Sequence, residues 1–176
     1  MIKINDAKIV VRSETAEDYA EIESLVKEAF ASAEHSDGDE HNLIDRIRQT
    51  EDYIPQLSLV AEMNGAIVGY IMFSRIYIGT EIAVAPAPLA VKTGFQRHGI
   101  GRLLVSTGHE IARNLQFPCS VVLGSPDYYT RLGYQRASEF NISAPFDVES
   151  KYYMVFRQTE ETLPSGVVEY SEAFGL

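Results

Sequence analysis

Between positions 96 and 102 the chain reads Gln96-Arg97-His98-Gly99-Ile100-Gly101-Arg102, a combination of residue types suited to holding phosphate. Free N–H groups at the start of a helix, together with the positive end of its dipole, attract anionic oxygens. Gly99 and Gly101 have no β-carbon to keep a ligand off the backbone. Arg97 and Arg102 add charge that complements a polyphosphate. The same glycines would also serve a tight turn and a helix cap, and the two roles are compatible. His98 reads as a solvated loop side chain rather than a catalytic group.

Two familiar phosphate motifs do not fit. A P-loop needs G-x-x-x-x-G-K-[ST], and no such string occurs. A dinucleotide fingerprint needs a third glycine, and Leu104 stands in its place. The remaining chemistry-bearing residues are sparse. His35, His41 and His109 are scattered without ligand spacing, so no metal is expected. Cys119 is the one cysteine, which excludes an internal disulfide and a redox pair. It opens an apolar run, where a thiol usually packs rather than reacts.

The loop must be held between a strand and a helix, and the sequence supplies both. Leu57–Glu62 and Ala66–Ser74 are β-prone runs joined by Asn64-Gly65, a hairpin signal because both central residues of a type I′ turn need positive φ. A third run, Ile82–Val91, is interrupted by Pro86 and Pro88. Those prolines make it irregular or free on one side, since proline cannot donate to a ladder. Gly101–Leu115 is helical, with Leu104, Ile111 and Leu115 on one stripe and Gly108 where the helix presses on a sheet. Upstream, Ile9–Arg12 reads as an edge strand. Thr15 and Asp18 form a capping-box-like start for a helix carrying Tyr19, Ile22, Leu25, Val26, Ala29 and Phe30. An acidic loop around Ser36–Glu40 leads to a second helix with Leu43, Ile44 and Ile47. Downstream come a buried-type strand Ser120–Leu123, a short segment closed by Gly133, and a strand Tyr152–Phe156. No repeat or linker divides the chain, so residues 1–176 read as a single domain.

With these elements in place, Gln96-x-x-Gly99-x-Gly101 matches the pattern Q/R-x-x-G-x-G/A, and the chain resembles the GNAT (GCN5-related N-acetyltransferase) superfamily. Tyr128-Tyr129-Thr130-Arg131-Leu132-Gly133-Tyr134 looks like that family's F/L-Y-x-x-x-G-F/Y segment. The run Val122–Tyr129, with Ala137–Phe140 and Pro145-Phe146-Asp147, is similar to a YhbS-like bacterial branch, over nearly the whole chain. The resemblance implies an α/β (α+β) fold, a mixed, largely antiparallel sheet flanked by helices. It also implies acetyl-CoA as co-substrate, no metal, and direct attack of an amine on the thioester.

By the same resemblance, Leu89, Ala90 and Val91 would lie along the pantetheine arm, pairing through their backbone. A backbone N–H near Val91 would polarise the thioester carbonyl. Gln96, Arg97, His98, Gly99, Ile100, Gly101 and Arg102 would receive the pyrophosphate. Tyr128 would pack near the cofactor, and Tyr129 would be the catalytic acid that protonates the departing thiolate. Both tyrosines read equally as aromatic core from sequence alone. Many relatives carry a glutamate on the strand before the loop. Here Ala87, Leu89 and Val91 occupy those alternating positions, leaving Glu81 and Glu40 as carboxylates without an assigned role.

Composition narrows the partners. Twenty-five acidic against 15 basic residues give a net charge of −10, which disfavours nucleic acid, whose binding rests on neutralising phosphates. No apolar run spans a bilayer and the N-terminus lacks a leader's apolar core, so a cytoplasmic home without membrane partners is expected. The acceptor is expected to be an amine, on a small molecule or a protein. An acyl-CoA-binding domain without turnover, a different acyl group, or an oxygen acceptor stay open, because a fold does not decide its chemistry. The C-terminal strand around Val167–Tyr170 offers either pairing in a homodimer or completion of its own sheet.

Overall fold

Residues 66–78 are almost continuously buried, which requires a strand covered on both faces. In the computed structural model, which describes residues 2–176, that strand is the centre of the sheet. The chain runs β1 (Lys3–Ile4), β2 (Ala7–Ser13), α1 (Tyr19–Phe30), α2 (Glu40–Arg48), β3 (Tyr53–Met63), β4 (Ala66–Ile78) and β5 (Glu81–Val91). It continues through α3 (Ile100–Asn114), β6 (Cys119–Leu123), α4 (Pro126–Tyr129), β7 (Gln135–Arg136), β8 (Ile142–Ser143), β9 (Tyr153–Arg157) and β10 (Gly166–Tyr170).

The strand order is β1-β2-β3-β4-β5-β6-β9-β7, antiparallel except where β5 meets β6 and where β8 meets β10. The β3–β4 hairpin closes on Met63↔Ala66, with Asn64 and Gly65 both at positive φ. Side chains alternate between two layers. Leu59, Ala61, Val68, Ile71 and Phe73 pack on Ile100, Leu104 and Val105 of α3. Val60, Ile67, Tyr70 and Met72 pack on Ile22, Leu25 and Val26 of α1 and Ile44 and Ile47 of α2. Gly108 lets α3 approach: a β-carbon there would sit 2.1 Å from the Phe73 ring.

The Thr15–Asp18 start is present. The Asp18 carboxylate accepts from the Thr15 backbone N–H at 2.7 Å and pairs with Arg12. Ile9–Arg12 lie at the sheet edge as expected, because β1 pairs only Ala7 and Lys8 of β2. Three expectations need correction. Leu115 lies past the helix and is exposed; the stripe runs instead through Ile100, Leu104, Val105 and Ala112. Tyr152 belongs to a 3-10 turn before β9. The second hairpin strand runs on to Ile78, because β10 takes over the flank that β3 leaves at Ser74. Through Val168↔Ile78 and Gly166↔Ile142, β10 completes its own sheet. No helix among the described residues is long and apolar enough to cross a membrane.

Candidate active site

The register of β5 decides which backbone groups are free. Ile71 pairs Leu89 but Phe73 pairs Pro86, so β5 holds one extra residue at Ala87–Pro88, a bulge around a cis peptide bond. Beyond it, Lys92 N–H donates to the Val68 carbonyl at 2.9 Å. With Gly69 opposite Val91, that bond makes Tyr70↔Ala90 the pair that exchanges both hydrogen bonds. Ala90 is therefore spent on β4, and its methyl is buried against α1 and α2. The N–H and C=O groups of Leu89 and Val91 point away from β4. On that side β6 pairs β5 at Val84↔Ser120 and then diverges. A wedge opens between the two strands, edged by Leu89 and Val91 backbone groups that no strand pairs.

The loop after β5 is wound tightly onto that edge. The Gln96 side-chain amide donates to the Val91 carbonyl at 3.2 Å, and the His98 ring meets the Gln96 carbonyl at 2.8 Å. Gly99 caps α3 at φ 84°, and the first helical bond runs from Leu103 N–H to the Gly99 carbonyl. The N–H groups of Ile100, Gly101 and Arg102 thus have no partner within the helix. Arg97 also holds a positive φ of 63°, which costs a residue with a β-carbon about 1–2 kcal/mol. Such strain is commonly kept where a loop meets a ligand.

Gly101 faces the Tyr128 hydroxyl, 2.6 Å from where a β-carbon would lie. Tyr128 therefore stands between two cavities. One, about 300 Å³, is lined by Leu89, Val91 and the loop from Phe95 to Arg102. The other, about 620 Å³, fills the wedge and is lined by Ala85 to Leu89, Leu123 to Ser125 and Tyr129. Leu123 leaves half its surface exposed there, apolar area that suits a ligand rather than water. Tyr129 packs against Gly124, where a β-carbon would come within 2.3 Å of its ring, and meets Tyr128 and Tyr134 edge-on. Burial, then neighbouring Tyr128, raise the Tyr129 pKa, so the phenol keeps its proton at neutral pH.

Behind Tyr129 the Tyr134 hydroxyl is buried between His109 Nε2 at 2.8 Å and Ser120 Oγ at 3.0 Å. His109 stacks on Phe156 at 3.8 Å, and burial lowers its pKa to about 4. It is a neutral core group that fixes the tyrosine shelf. Buried Cys119 is pushed up to about 12, which keeps it a thiol. Beside the loop, a third cavity of about 430 Å³ is lined by Arg102, Arg113 and Arg131, with Glu110. Among the described residues none of the three arginines forms an ion pair.

Of the residues expected from the sequence, the structure gathers Leu89, Val91, Gln96, Arg97, Gly99, Ile100, Gly101, Arg102, Tyr128 and Tyr129. Ala90 and His98 line neither cavity. Glu40 lines the wedge and Glu81 does not. Arg113 and Arg131 escaped sequence reasoning, although Arg102, Ser106, His109 and Arg113 follow helical spacing on one face of α3. Among the described residues no three His, Cys, Asp or Glu side chains cluster as metal ligands would.

The chain is similar to known proteins in sequence and fold. The family described as acetyltransferase (GNAT) domain matches residues 55–136. YhbS of Escherichia coli, an uncharacterized N-acetyltransferase by name, is 29% identical over 171 residues, covering 94% of this chain and 98% of its own. YjhQ of the same organism, also an uncharacterized N-acetyltransferase, is 30% identical over 141 residues, covering 77% of this chain and 75% of YjhQ. The crystal structure of YhbS in complex with CoA superimposes with a TM-score of 0.88 at 27% identity, covering 99% of this chain and 96% of that one. A Brucella melitensis GNAT acetyltransferase in complex with acetyl-CoA gives 0.80 at 28% identity, covering 95% and 98%.

Proposed function

The chain belongs to the GNAT family of acetyltransferases, and on that premise we propose that it moves the acetyl group of acetyl-CoA to a primary amine by direct attack, with Tyr129 as general acid. One observation carries the reading. The cavity over the loop Gln96–Arg102 and the cavity of the wedge share Leu89 and Tyr128 in their linings, and Tyr129 lines the second. The donor supplies an acetyl group already activated as a thioester. The loop suits its pyrophosphate because the N–H groups of residues 100–102 have no partner within the helix and a helix N-terminus attracts anions.

Each residue then has one task. Arg97, Arg102 and the α3 N-terminus hold phosphate charge. Arg113 and Arg131 add cationic charge for a further phosphate beside that loop. Leu89 offers backbone groups to the amides of the arm, and the Val91 N–H stabilises the carbonyl oxygen as it gains negative charge. The neutral amine's electron pair forms the new C–N bond while the C–S bond breaks. Tyr129 gives its phenolic proton to the sulfur, and the proton shed by nitrogen passes to water, from which the phenol is restored. The expected site of action is the cytoplasm.

The test is calorimetric titration with acetyl-CoA and an amine-dependent thiol-release assay. Wild type is expected to bind at micromolar concentration, and a folded Gly99→Glu, Gly101→Glu double variant to bind nothing. Binding without thiol release for any amine would leave an acyl-CoA-binding domain. Wild type that binds no CoA would overturn the reading.

A further inference from the structure

Away from the cofactor edge, the wedge cavity is closed by five segments that lie far apart in sequence: the end of α1, the start of α2, the loop before β9, the end of β10 and the turn after it. Their contributions are mostly rings. Phe146 and Tyr170 stack at 6.3 Å, and Tyr170 meets Phe174 at 5.2 Å, with Phe30 and Leu43 completing the wall. The Tyr170 hydroxyl is engaged by Tyr153 at 2.8 Å, so the ring presents carbon to the cavity. No lysine or arginine lines this cavity among the described residues.

The carboxylate lining it is Glu40, the first residue of α2. Acidic neighbours on the same helix are occupied: Asp39 holds Arg46 at 2.8 Å and Asp45 holds Arg48 at 2.7 Å. Among the described residues nothing bonds Glu40. Besides Glu40 and its neighbour His35, the chamber is mostly apolar and ring-lined, with neither lysine nor arginine, which suits an amine on an apolar body. A polyamine would bring several ammonium groups to one acidic side chain and strand the rest against rings. An amino acid would bring a carboxylate beside Glu40 with neither lysine nor arginine to offset it.

We infer that the acceptor is a small primary amine carried on an apolar, ring-sized body, with Glu40 as the counter-ion that draws its ammonium group in. This rests on the acetyl-transfer reading above. Glu40 and the aromatic wall set acceptor specificity at the end of the wedge away from β5, while the donor's phosphates are held at the loop Gln96–Arg102.

The experiment compares 2-phenylethylamine, phenylalanine and spermidine as acceptors at saturating acetyl-CoA, with wild type and Glu40→Gln. 2-Phenylethylamine should exceed both others by about tenfold or more in kcat/KM, the scale of apolar-pocket discrimination. Glu40→Gln should raise its KM about tenfold, the loss of one charged contact, while kcat and the calorimetric affinity for acetyl-CoA hold. Spermidine or phenylalanine matching 2-phenylethylamine would overturn the assignment, as would a Glu40→Gln variant with unchanged KM. Acetyl-CoA binding without turnover of 2-phenylethylamine would sink the acceptor class alone. Failure to bind acetyl-CoA would sink the transfer reading and this inference with it.

Discussion

The hydroxyl of Tyr128 lies 2.6 Å from the point where a β-carbon on Gly101 would stand, so these two residues share one space between the phosphate loop and the wedge. Gly101→Ala must displace the tyrosine. Because the contact is with the tip of a side chain, the fold tolerates this, and alanine inside the first turn gains helix propensity. Affinity for CoA should fall by about threefold to tenfold, within the range of coupled neighbours. Tyr128→Phe removes the clashing atom and leaves the ring 3.8 Å away. The double variant should therefore recover affinity, and calorimetry on all four proteins measures the coupling. Additive losses would show that the two do not share this space.

Gly108 makes the opposite kind of contact. Its missing β-carbon would sit 2.1 Å from Phe73, a fully buried ring in the central strand that cannot swing away. Gly108→Ala should destabilise the fold by roughly 1–3 kcal/mol despite its better helix propensity, because overpacking outweighs it. Urea denaturation reads this as a lower midpoint at unchanged slope. An unchanged or higher midpoint would mean that α3 does not press on the sheet there.

How much of this was legible follows from distance along the chain. Asn64-Gly65, Gly133 and the Thr15–Asp18 start are local signals, and each residue performs its expected turn or cap. The loop Gln96–Arg102 was legible as a strand-to-helix turn because its residues are consecutive and Gly99 answers a backbone requirement. The aromatic wall of the wedge was not, because Phe30, Glu40, Phe146, Tyr170 and Phe174 converge only once β10 docks on β4. Ala90 shows a finer limit. Strand pattern places it beside Leu89 and Val91, but only the register reveals that its backbone faces β4 while theirs face the wedge.

The three-arginine cavity predicts a specific preference. If Arg113 and Arg131 serve a phosphate apart from the pyrophosphate, each matters only for a ligand that carries one. Arg131→Ala should weaken CoA by about tenfold and dephospho-CoA by less than about twofold, since a charged hydrogen bond contributes roughly 1.5–3 kcal/mol. Equal losses for both ligands would place Arg131 at the pyrophosphate or outside the site.

His109 makes stability depend on pH. Its folded-state pKa of about 4 lies below the ordinary value near 6.5, so between those values the unfolded chain binds more protons. The stabilisation is complete above about pH 6.5 and is lost as pH falls toward 4, by about 3 kcal/mol in all. Asp18, held by Arg12 and the Thr15 groups down to about 2, adds its own loss at lower pH. Urea midpoints of wild type should therefore decline from pH 6.5 to 5. In His109→Gln they should start lower and stay flat over that interval. A parallel decline in both proteins would show that His109 is protonated without cost.

Tyr129→Phe separates chemistry from binding. The ring's contacts with Gly124 and Tyr134 survive the change, and only the hydroxyl is lost. Burial keeps that hydroxyl protonated at neutral pH, so wild type always carries the proton that the sulfur requires. The variant should bind acetyl-CoA as wild type does but lose about 10²-fold or more in kcat, the contribution of a positioned general acid. The defect should shrink with acetyl thioesters of more acidic thiols, whose sulfur leaves without a proton. A uniform defect across thiols would point to positioning rather than proton transfer, and an undiminished kcat would assign the proton to another donor.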